Sequence, residues 1–562
     1  MAFEKVFECV GESGYYQLRI FHMICLVSIP VALHTMLPLF INAETEHHCA
    51  TQSLENVNCS LWNLSEEECE IAKLNITLPQ NDKATPLINE TACRFRNILA
   101  SEFNPYMNDS LNESFETVQC DTWIYDKSQY TLTVVQQFNL VCGDSSKVAL
   151  SWSIYFVGVM VGAFLFGNLA DIFGRKPTFF AGILLQLVSE LIVAFSPSYW
   201  VFVFFRLLVG LADMGIYLVG FVLITEFVGV SKRVLAGSVF AIYWAIGYMV
   251  IALLAFLIRD WRHLTIVVTA FSALQLLMYP FIPESAQWLN ARGRTDEAKV
   301  ILKRIAESNN RELADSQLDA ILKEDVDTKE KSTKKNFTEL FRHPNLRKKT
   351  LVLYYGWFVN SCIYYGLSFG SSSLKMNDYL AAAMFGFIEL PAYALSWFAL
   401  WKLVGRRVLL CSCLIAGGIA CFMNIWIPES EANIRAICSI TGKFFISASF
   451  SIIYMFSAEL FPTVVRSVGV GSCSTFARIG GMLAPQLLFF GKFWSQLPSV
   501  VYSFLAITSG FLCLLLPETR GVPLPQTIQD GANFTKQTRK SEGTKQNRDY
   551  VELQTSPPSV AV

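Results

Sequence analysis

The chain has 562 residues, of which 53% are hydrophobic and only 16% charged, with a formal net charge of −1. Soluble domains carry roughly a quarter charged residues, so the composition excludes an ordinary soluble protein, and a charge near zero gives no footing for nucleic acid. A mean hydropathy of +0.39 and 44 Phe point to a polytopic protein of the lipid bilayer.

In chain order, residues 1–19 form a short N-terminal segment with no apolar core of the signal-peptide type, so insertion is expected to begin at the first span. Stretches of about 20 apolar residues, the length that crosses a bilayer, fall at 20–41, 148–168, 177–197, 199–221, 234–257, 261–282, 349–370, 379–401, 407–427, 433–456, 467–491 and 497–516. The second and eleventh are rich in Gly (VGVMVGAFLFG, VGVGSCSTFARIGG), which suits close helix packing. An even number of spans puts both termini on one side. Arg175, Lys176, Lys232, Arg233, Lys402, Arg406, Arg407 and Arg466 sit in alternate short loops, so the positive-inside rule makes that side cytoplasmic.

Between the first two spans, residues 42–147 are then expected outside. Asn58, Asn63, Asn75, Asn89, Asn108 and Asn112 each head an Asn-x-Ser/Thr acceptor for glycosylation; only Asn336 and Asn533 match elsewhere, both in segments expected to be cytoplasmic. The same loop holds Cys49, Cys59, Cys69, Cys93, Cys120 and Cys142, an even set in an oxidising compartment. Three disulfides are expected, with the pairing left open. Together these features place the chain in the plasma membrane, and the loop offers a surface for homo-oligomer contacts. Residues 283–348 read as a charged helical cytoplasmic linker dividing residues 20–282 from residues 349–516, six spans each. Residues 517–562 read as a largely disordered cytoplasmic tail. Its last residues, SVAV, could add a strand to a PDZ-type partner, although a solvated end is the plainer reading.

The polar stretch GNLADIFGRK at 167–176 interrupts two apolar runs, and the second half answers it. Gly174-Arg175-Lys176 is matched by Gly405-Arg406-Arg407 after 231 positions, Glu226 and Arg233 by Glu459 and Arg466 after 233, and PES at 283–285 by PET at 517–519 after 234. Three landmarks at nearly one spacing indicate two parallel repeats, an arrangement of carriers that rock around a central site.

GNLADIFGRK resembles the motif between the second and third helices of the major facilitator superfamily, with Ile172 where a basic residue is usual. The Cys- and Asn-rich loop, RDWR at 259–262, PESAQWL at 283–289 and GVPLPQTI at 521–528 resemble solute carrier family 22, the organic cation, anion and zwitterion transporters. AIGYMVIALLAFLIRDWR, IELPAYALSW and ELFPTVVRSVGVGSCSTFARIGG are most similar to its carnitine/zwitterion branch. The resemblance implies an all-α membrane protein of twelve helices in two pseudo-symmetric bundles, the major facilitator fold. It also implies a polyspecific plasma-membrane transporter of small organic ions working by alternating access, favouring zwitterions or organic cations.

For Asp171 the resemblance implies a cytoplasmic latch between the halves. Gly174, Arg175, Lys176 and Arg406 belong to the same gate, and Glu226 with Arg233, and Glu459 with Arg466, are expected to add ion pairs between the halves. Charges inside spans default to function; here they are Glu190, Arg206, Asp213, Glu389, Lys443 and Arg478. Arg478 stands where the resemblance gives the anion and carnitine branches Arg and the cation branch an acid, and Arg suits a carboxylate; otherwise it would pair with a buried acid such as Glu389. Glu389 matches an acid of the family's eighth helix, and Tyr393 stands where anion carriers have Lys. Asp213 is expected to attract an ammonium or a proton, or to pair with Arg206. Lys443 reads as structural, and the direction of Glu190 stays open. Tyr243, Trp357, Tyr364 and Tyr365 lie on helices that the family uses as cavity walls, and aromatic faces attract quaternary ammonium.

No Walker loop is present, and His22, His34, His47, His48, His263 and His343 form no metal set, so neither an enzyme nor a cofactor or metal site is expected. The alternatives are an organic anion exchanger and a non-transporting surface receptor or adhesion protein on the same scaffold. A coupling ion is not readable from the residues.

Overall fold

The computed structural model describes residues 4–12, 14–50, 65, 69, 93–96, 117–229, 232–311, 318–323, 337–374, 376–402, 404–428 and 430–534. The six acceptor asparagines, Cys59 and the terminal SVAV lie outside these residues.

A short helix α1 (Glu4–Val10) precedes the first membrane helix α2 (Tyr15–Ile41), which is broken at Val27 and Leu37. Pro38, lacking an amide hydrogen, follows the second break. Then come α3 (Ser146–Phe173), α4 (Arg175–Ala194), α5 (Tyr199–Phe227), α6 (Arg233–Leu257) and α7 (Trp261–Leu274), which runs on as a 3-10 turn to Met278. The linker supplies α8 (Ala286–Ala291) and α9 (Thr295–Ser308). The second half is α10 (Pro344–Phe369), α11 (Asp378–Lys402), α12 (Arg406–Trp426), α13 (Ala432–Leu460), α14 (Arg466–Phe490) and α15 (Leu497–Cys513). Nine helical stretches among the described residues are long and apolar enough to cross a membrane; α15 is apolar but short, and α10 and α14 are more polar. The twelve expected spans thus all appear as helices.

The packing repeats as the sequence does. Helices α2 and α6 pack together as α10 and α14 do, and α4 and α7 as α12 and α15 do. The halves meet along two seams, α3 on α14 and α6 on α11, which exchange under the repeat. Within the first half, α3 and α5 approach until backbones touch. A Cβ added to Gly158 would lie 2.0 Å from the Leu207 carbonyl oxygen, and one on Gly210 would lie 2.3 Å from that of Tyr155. With lipid on the outside, such close packing rather than hydrophobic burial holds membrane helices together.

On the side of the large loop, strands β1 (His47–Cys49) and β4 (Trp123–Tyr125) pair antiparallel, as do β2 (Arg94–Arg96) and β3 (Thr117–Gln119). Disulfides join Cys49 to Cys120 and Cys93 to Cys142, and Cys69 is also disulfide-bonded. The loop side also ties the halves together. Lys492 Nζ meets Glu44 at 2.6 Å, Tyr130 donates to Asp378 at 2.8 Å, Tyr379 donates to the Gln129 carbonyl at 2.9 Å, and Ser153 donates to the Met482 carbonyl at 2.8 Å. Asp260 of RDWR caps α7, accepting from the amides of Arg262 and His263.

The opposite side, which carries GNLADIFGRK, is here the motif side. The linker is docked there on the first half: Ala298, Leu302 and Ile305 of α9 join Val6 and Val10 of α1 in one apolar cluster, and Asn309 donates to the Val10 carbonyl at 2.7 Å. Residues 517–534 of the tail are among the described residues. Residues 528–534 are helical and packed on the second half, with Lys349 Nζ donating to the Gly531 carbonyl at 2.9 Å and Phe534 fully buried. A buried ammonium needs an acceptor, and this segment supplies one.

Gly158→Ala should force α3 and α5 apart, because the obstructing atom is backbone. Unfolding of the detergent-purified protein should show a loss of about 1–3 kcal/mol, whereas an unchanged Tm would mean the helices do not touch at that point.

Candidate functional site

Half-way along the second half, three helices bring a charge cluster together. Glu389 on α11 meets Lys443 on α13, with Nζ 2.9 Å from Oε1 and both side chains fully buried. Tyr393, one turn from Glu389, donates to Oε2 at 3.1 Å. Lys443 also donates to Ser368 Oγ on α10 at 2.6 Å, and its ammonium stands 3.1 Å from the centre of the Tyr364 ring. The Tyr364 hydroxyl in turn accepts from Trp244 Nε1 of the first half at 2.9 Å. A carboxylate this deep is tolerable only with a cation beside it. That cation is Lys443, which lies well inside its helix, so the partner suggested for Arg478 is already taken.

Arg478, on α14, is 7% exposed, and its Nη2 donates to the sulfur of Met214 on α5 at 3.1 Å. Its buried Nε has no hydrogen-bond partner. A thioether is a weak acceptor for a guanidinium with five donors, so the side chain is poorly satisfied where it stands. The Tyr365 ring stands edge-on to Tyr364 at 5.1 Å and to Phe156 of the first half at 4.6 Å. Glu389, Lys443 and Arg478 together carry one surplus positive charge. Two aromatics of the expected set stand apart. Trp357 is fully buried, with its indole N–H donated to Ser457 at 2.9 Å, and Tyr243 turns to His22, 3.0 Å from its Nδ1.

Asp213 does not join this cluster. It is 1% exposed inside the first half, accepting from the Tyr155 hydroxyl at 2.6 Å and from the Gln186 amide. Arg206 pairs with Glu190 at 3.3 Å rather than with Asp213, and its Nη2 donates to the His34 carbonyl at 3.2 Å. The partner sought for Asp213 is therefore neutral, and the open direction of Glu190 is settled toward Arg206.

On the motif side the two halves carry equivalent arrangements. Gly174 adopts φ 110°, a conformation that favours glycine, and the chain turns there into α4. Glu284 of PES accepts from the amides of Arg175 at 3.0 Å and Lys176 at 3.2 Å, and Glu518 of PET accepts from those of Arg406 at 2.8 Å and Arg407 at 3.1 Å. Each carboxylate therefore sits on the positive end of a helix. Burial pushes the Glu284 carboxyl up, against the pull of three backbone N–H bonds. Arg175 reaches Asp171 at 2.8 Å and Glu226 at 3.0 Å, and Arg406 reaches Glu459 at 3.4 Å. Each of these three pairs runs within one half. Arg233 donates to the Thr225 carbonyl and Arg466 to that of Phe461, again within one half. The Asp171 side chain is 74% exposed, and its carbonyl accepts from Trp288 of the linker at 2.9 Å.

Sequence reasoning missed Glu284 and Glu518 as caps, although PES and PET were among its repeat landmarks. It also missed His34, Tyr155 and Gln186, which carry no local motif. Lys443→Ala should leave Glu389 buried and unpaired and cost about 3–5 kcal/mol. Thermal unfolding should show this loss, and the double change Glu389→Gln with Lys443→Met should recover most of it.

The family model for "Sugar (and other) transporter" matches residues 99–529. The organic cation transporter protein of Drosophila melanogaster is 37% identical over 96% of this chain and 96% of its own length. The human organic cation/carnitine transporter 2 is 32% identical over 94% of this chain and 93% of its own. Among solved structures, a partially occluded inward-open conformation of the xylose transporter XylE from E. coli superposes with a TM-score of 0.58 at 14% identity, covering 91% of this chain and all of that one. The chain therefore belongs to the sugar (and other) transporter family of the major facilitator superfamily, within solute carrier family 22, whose members are membrane carriers of organic ions and not enzymes.

Proposed function

We propose that the protein carries small zwitterions of the carnitine type, a quaternary ammonium and a carboxylate on one short skeleton, across the plasma membrane. Arg478 takes the carboxylate. Glu389 and the rings of Tyr364, Tyr365 and Tyr393 take the ammonium, which competes with Lys443 for Glu389. The observation that carries this reading is the buried Arg478 guanidinium with an unpartnered Nε. The human relative's name, an organic cation/carnitine transporter, supports the same cargo. Because Lys443 neutralises Glu389, the surplus positive charge also favours a second reading, an organic anion. Asp213, held by neutral partners in the first half, is dropped from the cargo contacts, as is Trp357.

The motif-side arginines and the acceptor-rich loop support a cytoplasmic motif side and an external loop side. The cross-half contacts on the loop side and the exposed Asp171 then support a state facing the cytoplasm. In that state the gate motifs serve each half separately, and alternating access requires the loop-side contacts to part.

Uptake of labelled L-carnitine, tetraethylammonium and glutarate into cells expressing the chain separates the readings. L-Carnitine should enter fastest. Arg478→Ala should cut its uptake by roughly 10–100-fold, the scale of a lost charged hydrogen bond, and leave tetraethylammonium within about twofold. Glutarate as the sole cargo would establish the anion reading. Transport of tetraethylammonium alone, unchanged in Arg478→Ala, would sink the zwitterion reading.

A further inference from the structure

We propose that His34, Glu190, Arg206 and Asp213 form a proton-binding site inside the first half. All four are at most 2% exposed. Glu190 and Arg206 cancel, at 3.3 Å. Asp213 then leaves one negative charge with no cation of its own, because its two oxygens accept from neutral groups, the Tyr155 hydroxyl and the Gln186 amide. A bare surplus charge at this depth is strongly disfavoured.

His34 is the group that can answer it. Its Nε2 shares a hydrogen bond with Ser272 at 2.7 Å, while its buried Nδ1 has no hydrogen-bond partner and lies 3.5 Å from Glu190 Oε1. A proton on Nδ1 gives two carboxylates and two cations; a proton on Asp213 removes the surplus directly. The titratable and charged groups facing Asp213 are His34 from α2, Tyr155 from α3, Glu190 from α4 and Arg206 from its own helix α5, with Arg478 of α14 on the far side of Met214. The ring of Tyr155 joins the two ends, because the Arg206 guanidinium lies 4.8 Å from its centre and its hydroxyl contacts both Asp213 and Thr35. The cluster therefore has room for one proton, held on His34 Nδ1 or on Asp213, with only an N–H or O–H bond made and broken.

Asp213 and Met214 are neighbours on α5, and Met214 is where Arg478 rests. That contact is the structural route by which the proton site adjoins Arg478. This link to cargo rests on the zwitterion reading; the proton site does not.

The test uses the full-length purified protein without cargo, melted from about pH 5 to about pH 9, the range in which His and a buried carboxyl titrate. A proton held only in the fold lends stability that is complete at low pH and is lost as pH rises and the proton leaves. Wild-type Tm should fall by roughly 3–6 °C across the range. In Asp213→Asn the surplus charge is gone and the fall should flatten. In His34→Gln the proton has only Asp213 and the fall should move along the pH axis. A wild-type profile parallel to that of both variants overturns the proposal. If Asp213→Asn does not fold, His34→Gln decides alone by the position of its fall. A second arm adds L-carnitine to vesicles holding the wild-type protein and a trapped pH dye. A pH change inside, absent in Asp213→Asn, ties the proton to the cargo. Flattened melting without that pH change supports the proton site and overturns its link to cargo, while labelled uptake alone decides the carnitine reading.

Discussion

A charge withdrawn from water must be answered close by, and the ion pairs seen at Glu389, Glu190, Arg175 and Arg406 each lie within one half. Glu389 has Lys443, and Glu190 has Arg206. On the motif side Arg175 has Glu226, Arg406 has Glu459, and Glu284 and Glu518 sit on helix N-termini of their own bundle. Separating a buried ion pair costs several kcal/mol, and a pair closed inside one half need not be broken if the halves move apart. The contacts seen to cross between halves among the described residues are cheaper to break, and they include hydroxyl and indole hydrogen bonds, ring contacts, the thioether of Met214 and the half-exposed Glu44–Lys492 pair.

The same constraint explains the repeat. Each motif-side turn has to end one helix, start the next and satisfy the amides at its first turn. A carboxylate brought back from the far end of the same bundle does this in both halves, and a motif Arg then pairs with a Glu at the end of the bundle's fourth helix. Equivalent seams follow, α3 on α14 and α6 on α11, since a duplicated bundle presents the same two faces to its copy. Small residues let the helices within a bundle approach to backbone contact, as at Gly158 and Gly210.

Much of this was legible in the chain. Apolar length marked the spans, because a bilayer admits little else. The spacing of GRK, TEF and PES against GRR, AEL and PET showed the duplication, because turn chemistry leaves its residues in place. Arg478 and Glu389 stood out as charges inside apolar runs. The partners were not legible. Lys443 and Glu389 are 54 positions apart in the chain and on different helices, and nothing local says that their faces meet. Nor does the motif itself say that Arg175 meets Glu226, 51 positions away on another helix.

By itself, then, the sequence determined the class of molecule, its twofold plan and which charges are buried, since hydropathy and turn residues act locally. Only the tertiary structure decided which charge answers which. Pairing depends on the rotation and depth of each helix against its neighbours, and one turn more or less would give Glu389, Asp213 or Arg478 a different partner. That choice left Arg478 unsatisfied beside the second half's cluster and Asp213 in surplus within the first.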